Sequence, residues 1–242
     1  MTSALLVIEH EPSCPPGWLG EWWTEDAQPL DVRRPSAGDV LPDSLGEHSG
    51  IVVLGGAMGA DDDALHPWLT TTKALLREAA ATGTPALGVC LGHQLAAVAL
   101  GGRVGRNPAG QQIGVLPVGW TDDAATDPLL GPLSTTPARG VHWNDDVVLT
   151  APEGTVVLAV ATGGELQAAR FAPTVWGVQW HPEAGVEVIG PWAEEDRDRA
   201  SQRGIDVDAY VRQVDEARAE QRRTWRPLAT GFAALLRDRV SS

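Results

Sequence analysis

The sequence predicts an α/β fold on an open, mostly parallel sheet with antiparallel additions and helices on both faces, and three observations lead there. Short apolar runs recur along the chain, several bounded by glycine or proline. Two of them flank a stretch of helical periodicity, and strand, helix, strand in that order implies parallel neighbours. The run Ile51 to Leu54 is apolar without alternation, as in a strand covered on both faces.

In chain order, "ALLVIEH" from Ala4, "GIVVLGG" from Gly50 and "PALGVC" from Pro85 read as the first three strands. Between the second and third, "PWLTTTKALLREAAATG" places Trp68, Leu69, Leu75, Leu76 and Ala79 on one helical face, and Gly83 ends it. A Leu- and Ala-rich run after Cys90 predicts another helix. "IGVLPVGW" from Ile113, "TVVLAVAT" from Thr155, "LQAARF" from Leu166 and "TVWGVQW" from Thr174 predict four later strands, whose short connections suit antiparallel pairing. Beyond His181, residues 194–204 read as a loop. Val207, Tyr210, Val211, Val214 and Trp225 then hold a helical register, and Pro227 starts a last helix carrying Phe232, Leu235 and Leu236. With no Gly/Ser linker in sight, residues 1–242 read as one domain, with C-terminal helices from about 185 packed on it.

Composition narrows the function classes. A formal net charge of -14 disfavours binding to polyphosphate backbones, so no nucleic-acid partner is expected. The apolar run in "MTSALLVIEHEPS" is too short for a membrane span and follows no basic stretch, so neither membrane association nor export is expected, and the cytoplasm is the expected location. Cys14 and Cys90 share no metal-binding spacing with each other or with histidine, and nothing in the chain calls for a metal or cofactor.

Cys90 carries the chemistry. In "PALGVCLGHQL" a strand ends at Val89 and a helix begins after the cysteine, so the thiol stands at a helix N-terminus, which favours the thiolate. A thiol nucleophile needs a base, a group that orients the base, and amide donors for an oxyanion. "GVQWHPEAG" offers His181 and Glu183 at a strand end, two residues apart and so on one face. "VVLGGAMG" ends a strand in two glycines, where Gly56 can present its N–H at close range; the Leu91 N–H at the helix start is the second donor. All three segments fall at the carboxyl ends of strands, where open α/β sheets build sites.

Gly88-Val-Cys-Leu-Gly-His-Gln94 together with His181-Pro-Glu183 resembles the class I glutamine amidotransferases, closest in style to the glutaminase domain of GMP synthase and its stand-alone relatives. The likeness covers roughly residues 4–190 and implies a flavodoxin-like domain. It implies that Cys90 attacks the side-chain amide of glutamine to form a thioester, with His181 and Glu183 completing a triad and Gly56 and Leu91 as oxyanion donors. Gln94 matches a residue that contacts the amino-acid part of glutamine, and His93 a structural neighbour of the nucleophile. Trp143, Asn144 and Asp145 fall where the segment bordering the substrate's α-amino and carboxylate groups is expected. Three positions depart from the usual pattern: Gly55-Gly56-Ala57 where Gly-Gly-Pro is common, Trp143-Asn144-Asp145-Asp146 where Trp-His-Gly-Asp is frequent, and Trp180 where Phe or Tyr usually precedes the histidine.

On this resemblance the chain is a glutaminase releasing ammonia to an acceptor on another chain, a separate synthetase subunit. The alternatives are a γ-glutamyl peptide or amide hydrolase or transferase with the same triad, and a catalytically silent regulatory module. Asp61-Asp62-Asp63 reads as a solvated loop or a cap on the following helix rather than a metal site, and Arg103 and Arg106 as surface charges. His10, His48, His66 and His142 read as packing or surface residues, and Cys14 as an inert thiol without a partner.

Overall fold

A computed structural model describes residues 3–240. Its central sheet contains β1 (Leu5–Ile8), β2 (Leu30–Arg33), β3 (Gly50–Val53), β4 (Ala86–Val89), β9 (Val156–Val160), β10 (Leu166–Ala172) and β11 (Val175–Val178) in the order β2-β1-β3-β4-β11-β10-β9. The pairings from β2 across to β11 are parallel, and β10 and β9 extend the sheet antiparallel. Two antiparallel ribbons stand beside it, β5 (Arg103–Arg106) with β8 (Asp146–Thr150) and β6 (Gln112–Pro117) with β7 (Arg139–Asn144).

Strand alternation divides the core in two. Leu5 and Val7 of β1 bury against Trp18, Leu19, Trp22 and Trp23 of α1 (Gly17–Glu25) and Trp225, Phe232 and Leu236 of α6 (Val207–Val240). Leu6 and Ile8 face the other way, into the cluster holding Leu69, Leu75 and Leu76 of α2 (Trp68–Thr82) and Leu95 and Ala96 of α3 (Leu91–Ala99). Each such side chain taken fully out of water contributes roughly 1.5–3 kcal/mol. The expected mostly parallel sheet with helices on both faces is therefore the observed one. No described helix is long and apolar enough to cross a membrane.

Every strand read from the apolar runs is present, and β2, β5, β7 and β8 are additional. These four carry charged or polar residues that masked them: Asp31 and Arg33 of β2 pair with each other at 2.7 Å, and both ends of β5 are exposed arginines. Residues 194–204 are not a loop. They fall largely in α4 (Val186–Glu195) and α5 (Arg197–Gln202), and α5 is held by ion pairs from Arg197 and Arg199 and buries a single small apolar residue, Ala200. Nor does Pro227 start a new helix, because α6 runs through it without a break. Pro227 is exposed, so the carbonyl it leaves without a helical donor can meet water, while Trp225, Leu228 and Ala229 bury the opposite side.

The glycines flanking Cys90 answer to backbone contact. A Cβ on Gly88 would run into the backbone of Gly92, and one on Gly92 would run into the carbonyl of Val53. Gly92→Ala is expected to cost at least about 1–3 kcal/mol, because the obstacle is main chain rather than a flexible side chain. Gly190→Ala in α4, where a Cβ meets nothing within 4 Å, is expected to be neutral or mildly stabilising. Denaturant midpoints of the two variants check this; equal midpoints refute it.

Candidate active site

β4 ends at Val89, and Cys90 turns the chain with φ 51° and ψ −104° before α3 begins. Only Ala27 shares a positive φ among the described non-glycine residues. Such a conformation costs on the order of 1–3 kcal/mol and persists only where its surroundings enforce it. Here the Cys90 N–H donates to the Val178 carbonyl at 2.9 Å, and the Cys90 carbonyl accepts from the Gln94 N–H at 3.1 Å. The thiol thus stands at the start of α3, whose first-turn amides lack helical acceptors.

β11 runs parallel beside β4, and that pairing brings His181 alongside Cys90. His181 and Glu183 lie in the turn after the strand, so their contact closes across that turn instead of along a strand face as expected. The His181 Nδ1–H donates to Glu183 Oε1 at 2.7 Å, and both side chains are almost fully buried. Cys90 is the other hydrogen-bond partner of the ring, which leaves Nε2 to face it. Burial alone would push the imidazole toward its neutral form; the Glu183 carboxylate and the Cys90 thiol outweigh it and raise the pKa to about 10. Trp192 of α4 packs edge-on against the ring, 4.8 Å between centroids.

Gly55 and Gly56 follow β3 and face this pair. A Cβ on Gly55 would sit 2.9 Å from His181 Cε1, and one on Gly56 would sit 3.0 Å from Leu91 Cδ2, so Gly56 and Leu91 are neighbours. The next amide, Ala57 N–H, donates to Glu11 Oε1 at 2.7 Å.

Cys90, His181, Gly56, Gln94, Trp143, Asn144 and Asp145 line one pocket of about 470 Å³, with Glu183 behind His181 and Leu91 at the α3 start. The expected site residues are therefore together, but their bonds differ from expectation in three places. Gln94 Nε2 already donates to the Asp146 carbonyl at 2.9 Å and to Gln179 Oε1 at 3.3 Å. The Asp145 carboxylate is engaged by Arg106, Arg199 and Arg203 at 2.8, 2.7 and 3.1 Å; Arg106 is the exposed surface charge expected and also borders the pocket. Trp180 is fully buried and does not line the pocket; its ring lies tilted against Trp225, 4.9 Å between centroids. Asn144 donates from Nδ2 to Gln112 Oε1 and to the Asp146 carbonyl, while its buried Oδ1 has no partner among the described residues. Trp143 rests on Tyr210, 5.3 Å between centroids.

Sequence reading missed Gln179, Glu11, Trp192 and Arg199. Gln179, which donates to Cys90 Sγ at 3.5 Å, was the one to find, a polar residue inside an otherwise apolar run. Cys14 does have a partner: it lines the pocket and donates to Glu11 Oε1 at 3.4 Å, and burial, followed by the charge of Glu11, pushes its pKa far up. His93 and His10 are packing residues, each pushed down to about 3, chiefly by burial. Asp62 accepts from the Gly59 N–H at 2.6 Å and Asp63 pairs with Lys73 at 2.6 Å, so neither caps α2. No cluster of three or more potential metal ligands occurs among the described residues.

The family model for glutamine amidotransferase class-I matches residues 30–193. The chain is 33% identical over 161 residues to a glutamine-hydrolyzing GMP synthase of Aeropyrum pernix, covering 64% of this chain but only 29% of that protein. It is 27% identical to gamma-glutamyl peptidase 5 of Arabidopsis thaliana, over 68% of this chain and 66% of the relative. A solved glutamine amidotransferase of Thermotoga maritima shares the fold, with a TM-score of 0.85 and 24% identity over 96% of this chain and 98% of its own.

The raised pKa of His181 has a sign that can be measured. A group held above its ordinary 6.5 stabilises the folded state fully below that value and loses the contribution as pH rises through about 10. Glu183→Gln removes the largest raising influence, so burial then dominates and the imidazole is expected to titrate at lower pH. Ring ¹⁵N shifts followed from pH 5 to 11 read this directly; an unchanged titration in the variant refutes the assignment.

Proposed function

Because the chain belongs to the class-I glutamine amidotransferase family, we propose that it hydrolyses the side-chain amide of glutamine through a thioester on Cys90. The observation that carries this reading is the buried line of Glu183, His181 and Cys90 at a strained strand-to-helix turn. In it the Cys90 thiolate attacks the γ-carbonyl carbon, and the resulting oxyanion is met by the N–H groups of Gly56 and Leu91. The His181 imidazolium gives its proton to the departing nitrogen, and ammonia leaves as the C–N bond breaks. Neutral His181 then takes a proton from water, whose oxygen attacks the thioester. Glutamate departs, Cys90 returns to its starting state, and Glu183 holds the ring in one tautomer throughout.

In the pocket, Asn144 Oδ1 is the buried acceptor that suits the substrate's ammonium group. Gln94 acts through the Gln179 and Asp146 bonds, and Asp145 anchors the arginines at the rim while Trp143 forms a wall. Trp192 against His181, and α6 beneath α1, support residues 1–242 working as one domain. Two buried free cysteines suit a reducing cytoplasm. The ammonia passes to an acceptor on a separate synthetase chain.

One observation favours a second reading. A pocket of about 470 Å³ falls within the roughly 300–1,000 Å³ that holds drug-sized ligands, which leaves room for a leaving group larger than ammonia. Together with the likeness to a gamma-glutamyl peptidase, it supports a γ-glutamyl peptide or amide as substrate.

Glutamate release from glutamine and from a panel of γ-glutamyl peptides and amides tests both readings. Cys90→Ser is expected to lower turnover by about 10⁴–10⁶-fold, the scale seen on removing a nucleophile, and Cys14→Ser to leave it near wild type. Turnover that survives Cys90→Ser overturns the mechanism. Fast cleavage of a γ-glutamyl peptide with glutamine a poor substrate installs the second reading in place of the first.

A further inference from the structure

The loop after β3 is pinned at both ends and held at one point between them. Upstream, the Leu54 N–H donates to the Ile8 carbonyl at 3.1 Å; downstream, Gly59 is bound by Asp62, and Lys73 Nζ donates to the Ala60 carbonyl at 2.9 Å. Between them lie residues 55–58, two of them glycines that impose little conformation of their own. Among the described residues, their one hydrogen bond is the Ala57 N–H donating to Glu11 Oε1 at 2.7 Å. The Gly55–Gly56 peptide, which carries the Gly56 N–H, is the next one up the chain and makes no hydrogen bond of its own among the described residues, so that contact is the nearest restraint on it.

Glu11 is itself well placed to hold still. It belongs to the connection between β1 and α1, whose Ser13 carbonyl accepts from Trp192 Nε1 at 2.7 Å, and at the start of α1 that follows, the Trp18 N–H donates to the Glu183 carbonyl at 3.0 Å. The buried Cys14 thiol donates to the same Glu11 oxygen. The connection and the first turn of α1 together therefore touch the Gly56 loop, the ring packed on His181, and the backbone of Glu183.

We propose that Glu11 is a positioning residue that fixes the Gly56 N–H for the developing oxyanion by binding the Ala57 amide. The proposal rests on the thioester mechanism above. It requires an acceptor at this place, not a charge, so glutamine serves there as well as glutamate. If Glu11 instead bound the substrate's ammonium group, the charge would matter most and KM would carry the effect.

The test compares Glu11→Ala, Glu11→Gln and Glu11→Ala/Ala57→Pro in the full chain. Glu11→Ala is expected to lower kcat by roughly 10–100-fold with KM little changed, somewhat less than removing an oxyanion donor outright. Glu11→Gln is expected to stay near wild type. The added proline removes the amide that lost its acceptor and stiffens the loop, so the double variant recovers much of the lost kcat. Hydrogen exchange over residues 54–60 supplies a readout independent of turnover: faster in Glu11→Ala, unchanged in Glu11→Gln. The proposal is overturned by a KM effect with kcat intact, by Glu11→Gln as damaging as Glu11→Ala, or by unchanged exchange in Glu11→Ala. Failure of the underlying mechanism shows elsewhere, as wild-type turnover that does not need Cys90.

Discussion

The Val53 carbonyl at the end of β3 lies against Gly92 in the first turn of α3, and the Gly92 backbone lies against Gly88 in β4. With no side chain between these three segments, α3 starts directly over the carboxyl ends of two parallel strands. The left-handed turn at Cys90 follows, because the chain must reverse within one residue to bring α3 down onto the sheet. A β-carbon at Gly88 or Gly92 would lift the helix and relax the turn. The position of the thiol is thus a consequence of backbone packing, and the strain it carries is borne by the two buried faces of the sheet.

The same geometry recruits the remaining groups. Because β11 pairs in parallel with β4, its carboxyl end delivers His181 to the level of Cys90, and the Val178 carbonyl ties the two ends together. The antiparallel ribbons supply the opposite wall, where β7 ends in Trp143 and Asn144. α4 and α5 close the rim, held by Arg199 and Arg203 on Asp145. Asp145 is therefore more a structural anchor than a vacant acid.

Much of this was legible from the sequence. The strands with uninterrupted apolar runs were, since burial on both faces leaves an unmistakable pattern, and so was the order of glycine loop, cysteine turn and His-x-Glu. The edge strand β2 and the ribbon strands β5, β7 and β8 were not: β2 and β5 owe their pairing to backbone hydrogen bonds and neighbouring ion pairs, which leave no apolar period. α5 was invisible for the same reason. The contacts of Glu11 and Trp192 join segments far apart in the chain, and single-residue chemistry does not announce such contacts. For Asp145 the sequence supplied the location but not the three arginines that occupy it.

Placing an imidazole, a carboxylate and a thiol together out of water is costly on its own terms. A buried charged pair repays its desolvation only with good geometry and further hydrogen bonds. The His181–Glu183 contact meets the first condition at 2.7 Å, and the Trp18 N–H bound to the Glu183 carbonyl fixes the backbone that carries it. What this arrangement does is oppose burial: the Glu183 carboxylate beside the ring favours the charged imidazole of His181 where desolvation alone would favour the neutral one. The cost in stability is met away from the site, by tryptophans and aliphatic side chains packed on both sheet faces. The chain concentrates strain and buried charge in a few residues because the rest of its core is continuous enough to bear them.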